Sequence, residues 1–257
     1  MNEILDEEIK KRREIQRKQQ NLSVKELVES ILKDVPRKTG ADLLPSCTKE
    51  KQNFVYIKNH KCASDTLSVV FRRFGFERDL SVVQPMLMKF NIGWPKPLHP
   101  GFFRASKSGH FNILTDHTVY NETFMDKLMS PGTVYMTSIR EPFSHLKSSF
   151  NFFNVPKLGH ISEKLQPGED ALMYFLQNKD AVDQQYKDPK TYKARPCVPP
   201  YLSVVRNMMA FDLGLPVGYE GSPDMQKDIP YIKQWLAHID KKFETVRKVQ
   251  PITLIPF

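Results

Sequence analysis

Two short stretches of this chain carry side chains suited to holding an anion and moving a proton. The first is Lys58-Asn59-His60-Lys61-Cys62-Ala63-Ser64-Asp65-Thr66. Lysines and small hydroxyl residues suit a phosphate or sulfate, above all where a loop runs into a helix and presents backbone N–H groups. An imidazole in the same loop changes charge near neutral pH. The glycines of GxxxxGK[ST] are missing, so this is not a Walker loop. The second stretch is Thr137-Ser138-Ile139-Arg140-Glu141-Pro142, leading to Ser148. An arginine fork and a hydroxyl about two helical turns later could hold one phosphate between them. Each stretch also has a plain structural reading. The first is then an ordinary polar connection, and the second a surface Arg140–Glu141 pair followed by a helix serine.

The elements that must position these residues can be read from apolar patterning. Phe54-Val55-Tyr56-Ile57 reads as a buried strand, residues 58–66 as its loop, and Leu67 to about Phe74 as a helix. Phe111-Asn112-Ile113-Leu114 reads as a second strand and Thr133 to Ile139 as a third. A helix begins near Pro142, where proline suits the first turn, and continues through 143–153. Further helices are expected at 169–179, 201–213 and 229–242. The alternation predicts an α/β fold with a central parallel sheet flanked by helices. Both chemical stretches then fall at strand ends, where such folds bind ligands. Residues 85–109, rich in proline and glycine and containing Trp94, read as a long ordered loop.

The chain has 257 residues, 40% of them hydrophobic, with a formal net charge of +9. A basic surface suits nucleic acid, an anionic membrane, acidic glycans or a phosphorylated cofactor. No zinc-finger, RNA-recognition or basic-zipper pattern is present, which sets nucleic acid aside. Cys47, Cys62 and Cys197 form no CxxC pair, and no metal is expected. They leave open one disulfide with a free thiol, or three thiols. Residues 1–46 read as a charged, helical N-terminal arm. Ser23-Val24-Lys25-Glu26 is a capping box, followed by Val24, Leu27, Val28, Ile31, Leu32 and Val35 at helical spacing. Residues 47–257 read as the globular domain. No segment approaches the roughly 20 apolar residues of a membrane helix. The start lacks an apolar leader, so the residues alone predict no entry into the secretory pathway.

Taken together, a lysine-bearing loop after the first strand and Arg-x7-Ser after a later one resemble the sulfotransferases. The segments FVYIKNHKCASDTL, VYMTSIREPFSHLKSSFNFF, FNILTDHTVYN and RNMMAFDLGL narrow the resemblance to the galactose-3-O-sulfotransferase family, over about residues 50–247. It implies a P-loop nucleotide-kinase-like sulfotransferase fold. It also implies 3′-phosphoadenosine 5′-phosphosulfate as co-substrate, and sulfuryl transfer to the 3-hydroxyl of galactose on a glycolipid or glycan. By that resemblance Lys61, Ala63, Ser64 and Thr66 cradle the 5′-phosphosulfate, with Cys62 and Asp65 in the same loop. Lys61 stabilises charge on the departing oxygen, and Arg140 and Ser148 hold the 3′-phosphate. Lys58 orients donor or acceptor. The acceptor hydroxyl needs a base near neutral pH, for which His60 is the first choice and His117 the second. Trp94 either stacks on a sugar or packs in the core.

The pattern also departs from the family. Cys62 stands for a family threonine, Asp65 for a serine and Val119 for an arginine. A carboxylate beside a phosphosulfate is unfavourable unless it turns away or pairs with a lysine. The resemblance implies a lumenal setting at the Golgi membrane and a domain incomplete at its C-terminal end. In the lumen, Asn21-Leu22-Ser23 and Asn121-Glu122-Thr123 would be glycosylation sequons. The departures keep a second reading in view, an inactive or truncated relative that binds donor or glycan. A nucleotide kinase and a helical interaction protein built on residues 1–35 are the further alternatives.

Overall fold

The computed structural model describes residues 50–86, 90–192, 198, 202–216 and 225–243. The N-terminal arm with its capping box, Cys47 and Cys197 lie outside them. The four-residue apolar run Phe54–Ile57 is strand β1, and all four of its residues are buried. Burial on both faces is what the middle strand of a parallel sheet requires. Strand β2 (Ile113–Leu114) pairs on one side and β3 (Val134–Thr137) on the other, both parallel to β1, in the order β2-β1-β3. The register sets Ile57 opposite Thr137, so the loops leaving β1 and β3 start side by side. β2 is shorter than the expected 111–114, because Phe111 instead forms an isolated bridge to Met129.

Helix α1 (Ser64–Glu77) follows the β1 loop and begins earlier than the apolar pattern indicates. Phe71 packs edge-on against Phe54 and Tyr56, each with 5.1 Å between ring centroids. Gly75 lets the helix end approach the sheet, since a Cβ there would stand 2.8 Å from Ile113 Cδ1. Helix α2 (Glu122–Leu128) is capped by the Asn121 side chain, which accepts from Phe124 N at 3.0 Å. Helix α3 (Pro142–Phe152) starts at the expected proline. Glu141 caps it by accepting from Phe143 N at 2.8 Å and Ser144 N at 2.6 Å.

The second half is more broken than periodicity suggests. A short helix α4 (Val155–Leu158) follows α3. The helix expected at 169–179 is α5 (Ala171–Gln177), and a further helix not expected from the pattern, α6 (Lys179–Tyr186), follows it, with Asn178 ending one and opening the other. Helix α7 spans Pro189–Tyr192. The helix expected at 201–213 is only α8 (Met208–Asp212). Asn207 enters it in the left-handed region at φ 49°, while Leu202, Ser203 and Val204 are buried in irregular backbone. Helix α9 spans Met225–Lys242.

Two apolar clusters form the core. One gathers Val55, Ile57, Leu114, Met125 and Tyr135 around the sheet. The other gathers Trp94, Phe150, Phe175, Val182, Leu202 and Met208 around the later helices. Among the described residues, no helix is long and apolar enough to cross a membrane.

Candidate active site

The three parallel strands deliver residues 58–63, 115–119 and 138–140 to one edge, beyond their C-terminal ends. The β1 loop makes its turn without glycine. Lys61 (φ 59°) and Ala63 (φ 55°) both adopt the left-handed region, which costs a non-glycine residue roughly 1–2 kcal/mol. Ala63 is the N-cap of α1 and makes no side-chain capping bond. The first-turn N–H groups, on Ser64, Asp65 and Thr66, are therefore left without a cap from that position, an arrangement that suits an anion. Ser64 is buried; Ala63 and Thr66 are exposed.

Neighbouring elements clamp this loop. Ser138 shares a 2.7 Å hydrogen bond with Tyr56 Oη and donates to Cys62 O at 3.0 Å. Asn59 Nδ2 donates to Ser138 O at 3.0 Å. Arg140 does not form the surface pair with Glu141, which is occupied in capping α3. Its Nη1 donates to Lys61 O at 3.1 Å, joining the two chemical stretches. Ser148 is half-buried in α3, and no hydrogen bond joins its hydroxyl to Arg140. Lys61 Nζ lies 3.6 Å from the centroid of the Phe152 ring. Partial burial there pushes its pKa below the usual lysine value, and the Arg140 charge adds to this.

Asp65 meets the condition for tolerating a carboxylate beside an anion. It pairs with Lys58, Nζ to Oδ1 at 2.6 Å, and this bond holds its pKa below the usual carboxylate value. Lys58 itself is only 3% exposed. Cys62 is a buried free thiol that donates to His60 O at 3.3 Å, and burial pushes its pKa up to about 11. It serves the loop's packing and makes no hydroxyl contact.

The histidines come together on the inner side. His60 and His117 stack, with 4.0 Å between centroids and 18° between planes. Trp94 lies against His60 at 4.3 Å. It is 5% exposed, so packing is its role, and the sugar-stacking alternative falls with its burial. His117 Nδ1 donates to Lys58 O at 3.0 Å, leaving Nε2 as the lone-pair nitrogen. Burial, with His60 and Lys58 nearby, drives its pKa down to about 2.

Three contacts around His60 were not legible in sequence. Asp212 Oδ2 accepts from His60 N at 2.9 Å and shares a 2.8 Å bond with His60 Nδ1, while Oδ1 accepts from Trp94 Nε1 at 2.8 Å. His145 Nε2 donates to His60 O at 3.0 Å, and its pKa is lowered by burial. On the far side of Lys58, Arg72 pairs with buried Asp116, whose pKa is raised by burial. The available signal for Asp212 was an acid inside the apolar run Met208-Met209-Ala210-Phe211-Asp212-Leu213, since a buried charge must find partners. Asn59 Oδ1 and Thr118 Oγ1 are buried without hydrogen-bond partners among the described residues, at the ends of β1 and β2. No group of three or more His, Cys, Asp or Glu able to hold a metal occurs among the described residues.

The arrangement can therefore receive an anion on its outer side and a proton on its inner side. Galactosylceramide sulfotransferase of Mus musculus is 29% identical over 199 residues, covering 76% of this chain and 41% of that protein. Galactose-3-O-sulfotransferase 2 of Mus musculus is 26% identical over 212 residues, covering 79% of this chain and 48% of that protein. Galactose-3-O-sulfotransferase 3 of Bos taurus is 29% identical over 107 residues, 38% of this chain and 23% of that one. The chain thus spans less than half the length of these curated relatives. No solved structure matches it. Residues 19–249 match the family described as Galactose-3-O-sulfotransferase, and the chain belongs to that family.

Proposed function

We propose that this chain transfers a sulfuryl group from 3′-phosphoadenosine 5′-phosphosulfate to the 3-hydroxyl of galactose on a glycolipid or glycan. The observation that carries this reading is the bond from the Arg140 guanidinium to the Lys61 backbone carbonyl, which ties the second stretch to the loop that enters an uncapped helix N-terminus, with the His60 imidazole three residues before the N-cap Ala63. In this reading Lys61 and the backbone of Ala63, Ser64 and Thr66 receive the 5′-phosphosulfate, flanked by Cys62 and Asp65. Arg140 with Ser148 receives the 3′-phosphate. Lys58 holds Asp65 out of the anion's way.

His60 Nε2 accepts the proton of the acceptor hydroxyl as its oxygen bonds to sulfur. The bond from sulfur to the bridging oxygen breaks, and Lys61 offsets the charge left on the 3′,5′-bisphosphate. His117, driven neutral by burial, positions the hydroxyl and does not take its proton, which falls to His60. No step here calls on a metal. Positioning and fixed charge do most of the work in such in-line transfers. The setting that goes with this reading is the lumenal side of the Golgi membrane.

The test is calorimetric titration of the purified chain with adenosine 3′,5′-bisphosphate, beside Arg140→Ala and Lys61→Ala. Loss of a charge-assisted hydrogen bond corresponds to roughly 10- to 100-fold weaker binding in each variant. A folded chain that binds ATP but not the bisphosphate would overturn the proposal. Bisphosphate binding without transfer of labelled sulfate to any galactose-ended acceptor would favour the alternative, a relative that binds donor or glycan only.

A further inference from the structure

We infer that Asp212 is the positioning residue for His60, fixing both the aim and the tautomer of its imidazole. The inference rests on the reading of His60 as the base. Asp212 is fully buried, and both of its oxygens face N–H groups. One oxygen, Oδ2, meets the backbone N–H and the ring Nδ1 of the same residue, so the imidazole is locked to its own main chain. Because Oδ2 acts as an acceptor there, Nδ1 carries the proton and Nε2 presents the lone pair. The ring cannot rotate away: Trp94 lies against one side and His117 is stacked on it. The carbonyl of His60 is held as well, by His145 Nε2 at 3.0 Å and Cys62 Sγ at 3.3 Å. When Nε2 takes a proton, the charge formed on the ring lies one hydrogen bond from a buried carboxylate.

The backbone delivers Asp212 to this place by an exact stop of α8. Gly214 N donates to Phe211 O and Leu215 N to Ala210 O, both at 2.9 Å, the paired bonds of a Schellman ending. Gly214 sits at φ 85°, and a Cβ there would stand 2.9 Å from Tyr120 O. The same strand end is tied to the site, since Tyr120 N donates to Asp212 O at 2.9 Å. Asp212 thus touches neither substrate in this account and acts through His60. The other charged or titratable groups around that imidazole are His117, Lys58, Asp65 and His145.

The test compares the full chain with Asp212→Asn and His60→Gln, reading sulfate transfer, bisphosphate binding and the imidazole 15N signals. In the wild type the His60 signals should place the proton on Nδ1. In Asp212→Asn, kcat should fall about 10²- to 10⁴-fold while acceptor KM and bisphosphate affinity stay within about threefold. An asparagine offers one oxygen to donors that met two, so the proton on Nδ1 should no longer be fixed. Wild-type kcat in a folded Asp212→Asn, with His60→Gln inactive, would overturn the role of Asp212 alone. Wild-type kcat in His60→Gln would overturn the reading of the base itself. Should Asp212→Asn fail to fold, the wild-type spectrum decides: a proton on Nε2 of His60 sinks the inference, and one on Nδ1 supports it.

Discussion

The outer and inner sides of the 58–66 loop are built in opposite ways. Outside, Lys61, Ala63, Asp65 and Arg140 are exposed or half-exposed, and the backbone is held in two left-handed turns with an uncapped helix start. Inside, Lys58 and Asn59 are buried, and His60 is fixed by Asp212, His145, Trp94 and His117. The outer side keeps its hydrogen-bonding capacity for something that arrives. The inner side has spent most of that capacity on itself, and its two stacked imidazoles are each fixed through Nδ1. A transfer reaction needs both, a receptive cradle for a charged donor and a rigid base that does not reorganise.

That contrast can be broken most sharply by stability measurements. Asp212→Ala strips three N–H groups of their buried acceptor and should cost about 3–5 kcal/mol in urea unfolding. Arg140→Ala, on the exposed side, should stay within about 0.5 kcal/mol. Equal costs would erase the distinction.

A second test uses acid. His117 is neutral in the folded chain because its pKa is driven to about 2, whereas an unfolded histidine binds a proton below about 6.5. The unfolded state then holds more protons, so stability rises with pH across that window and is lost as pH falls below the unfolded value. From pH 7 to pH 5 this amounts to about 2 kcal/mol. In His117→Gln the thermal midpoint should fall less over the same range. An unchanged pH slope would mean that the inner side tolerates charge.

The smallest effect concerns delivery of the carboxylate. Gly214→Ala, at φ 85° and close to Tyr120 O, should cost about 1–2 kcal/mol and lower kcat through a shifted Asp212. Loss of stability with wild-type kcat would show that the stop of α8 does not set the aim of His60.

The parts of this site legible in sequence are those made by neighbours along the chain. The run Phe54–Ile57 announces a buried strand because four apolar residues are bounded by polar ones. Arg140 could be placed at a strand end for the same reason, and Pro142 marks the start of α3. The departures came where tertiary contacts override periodicity. Asn207 in the left-handed region delays α8, and Leu202 and Val204 fill the core as irregular backbone. Asp212 and His145 were missed because nothing local says which loop they serve. For Trp94 the sequence allows both sugar stacking and core packing, and its burial with its indole bond to Asp212 decides for packing.

His60 and Asp212 are separated by 152 residues, and the bond between them closes that whole length of chain. Closing a loop of this size costs about 4–5 kcal/mol of chain entropy beyond a constant term. During synthesis, the imidazole, its backbone N–H and the Trp94 indole must wait without their acceptor until the C-terminal half has emerged and docked. A chain caught before that point holds three N–H groups short of their acceptor, an unmatched polar interior that the arrival of Asp212 resolves.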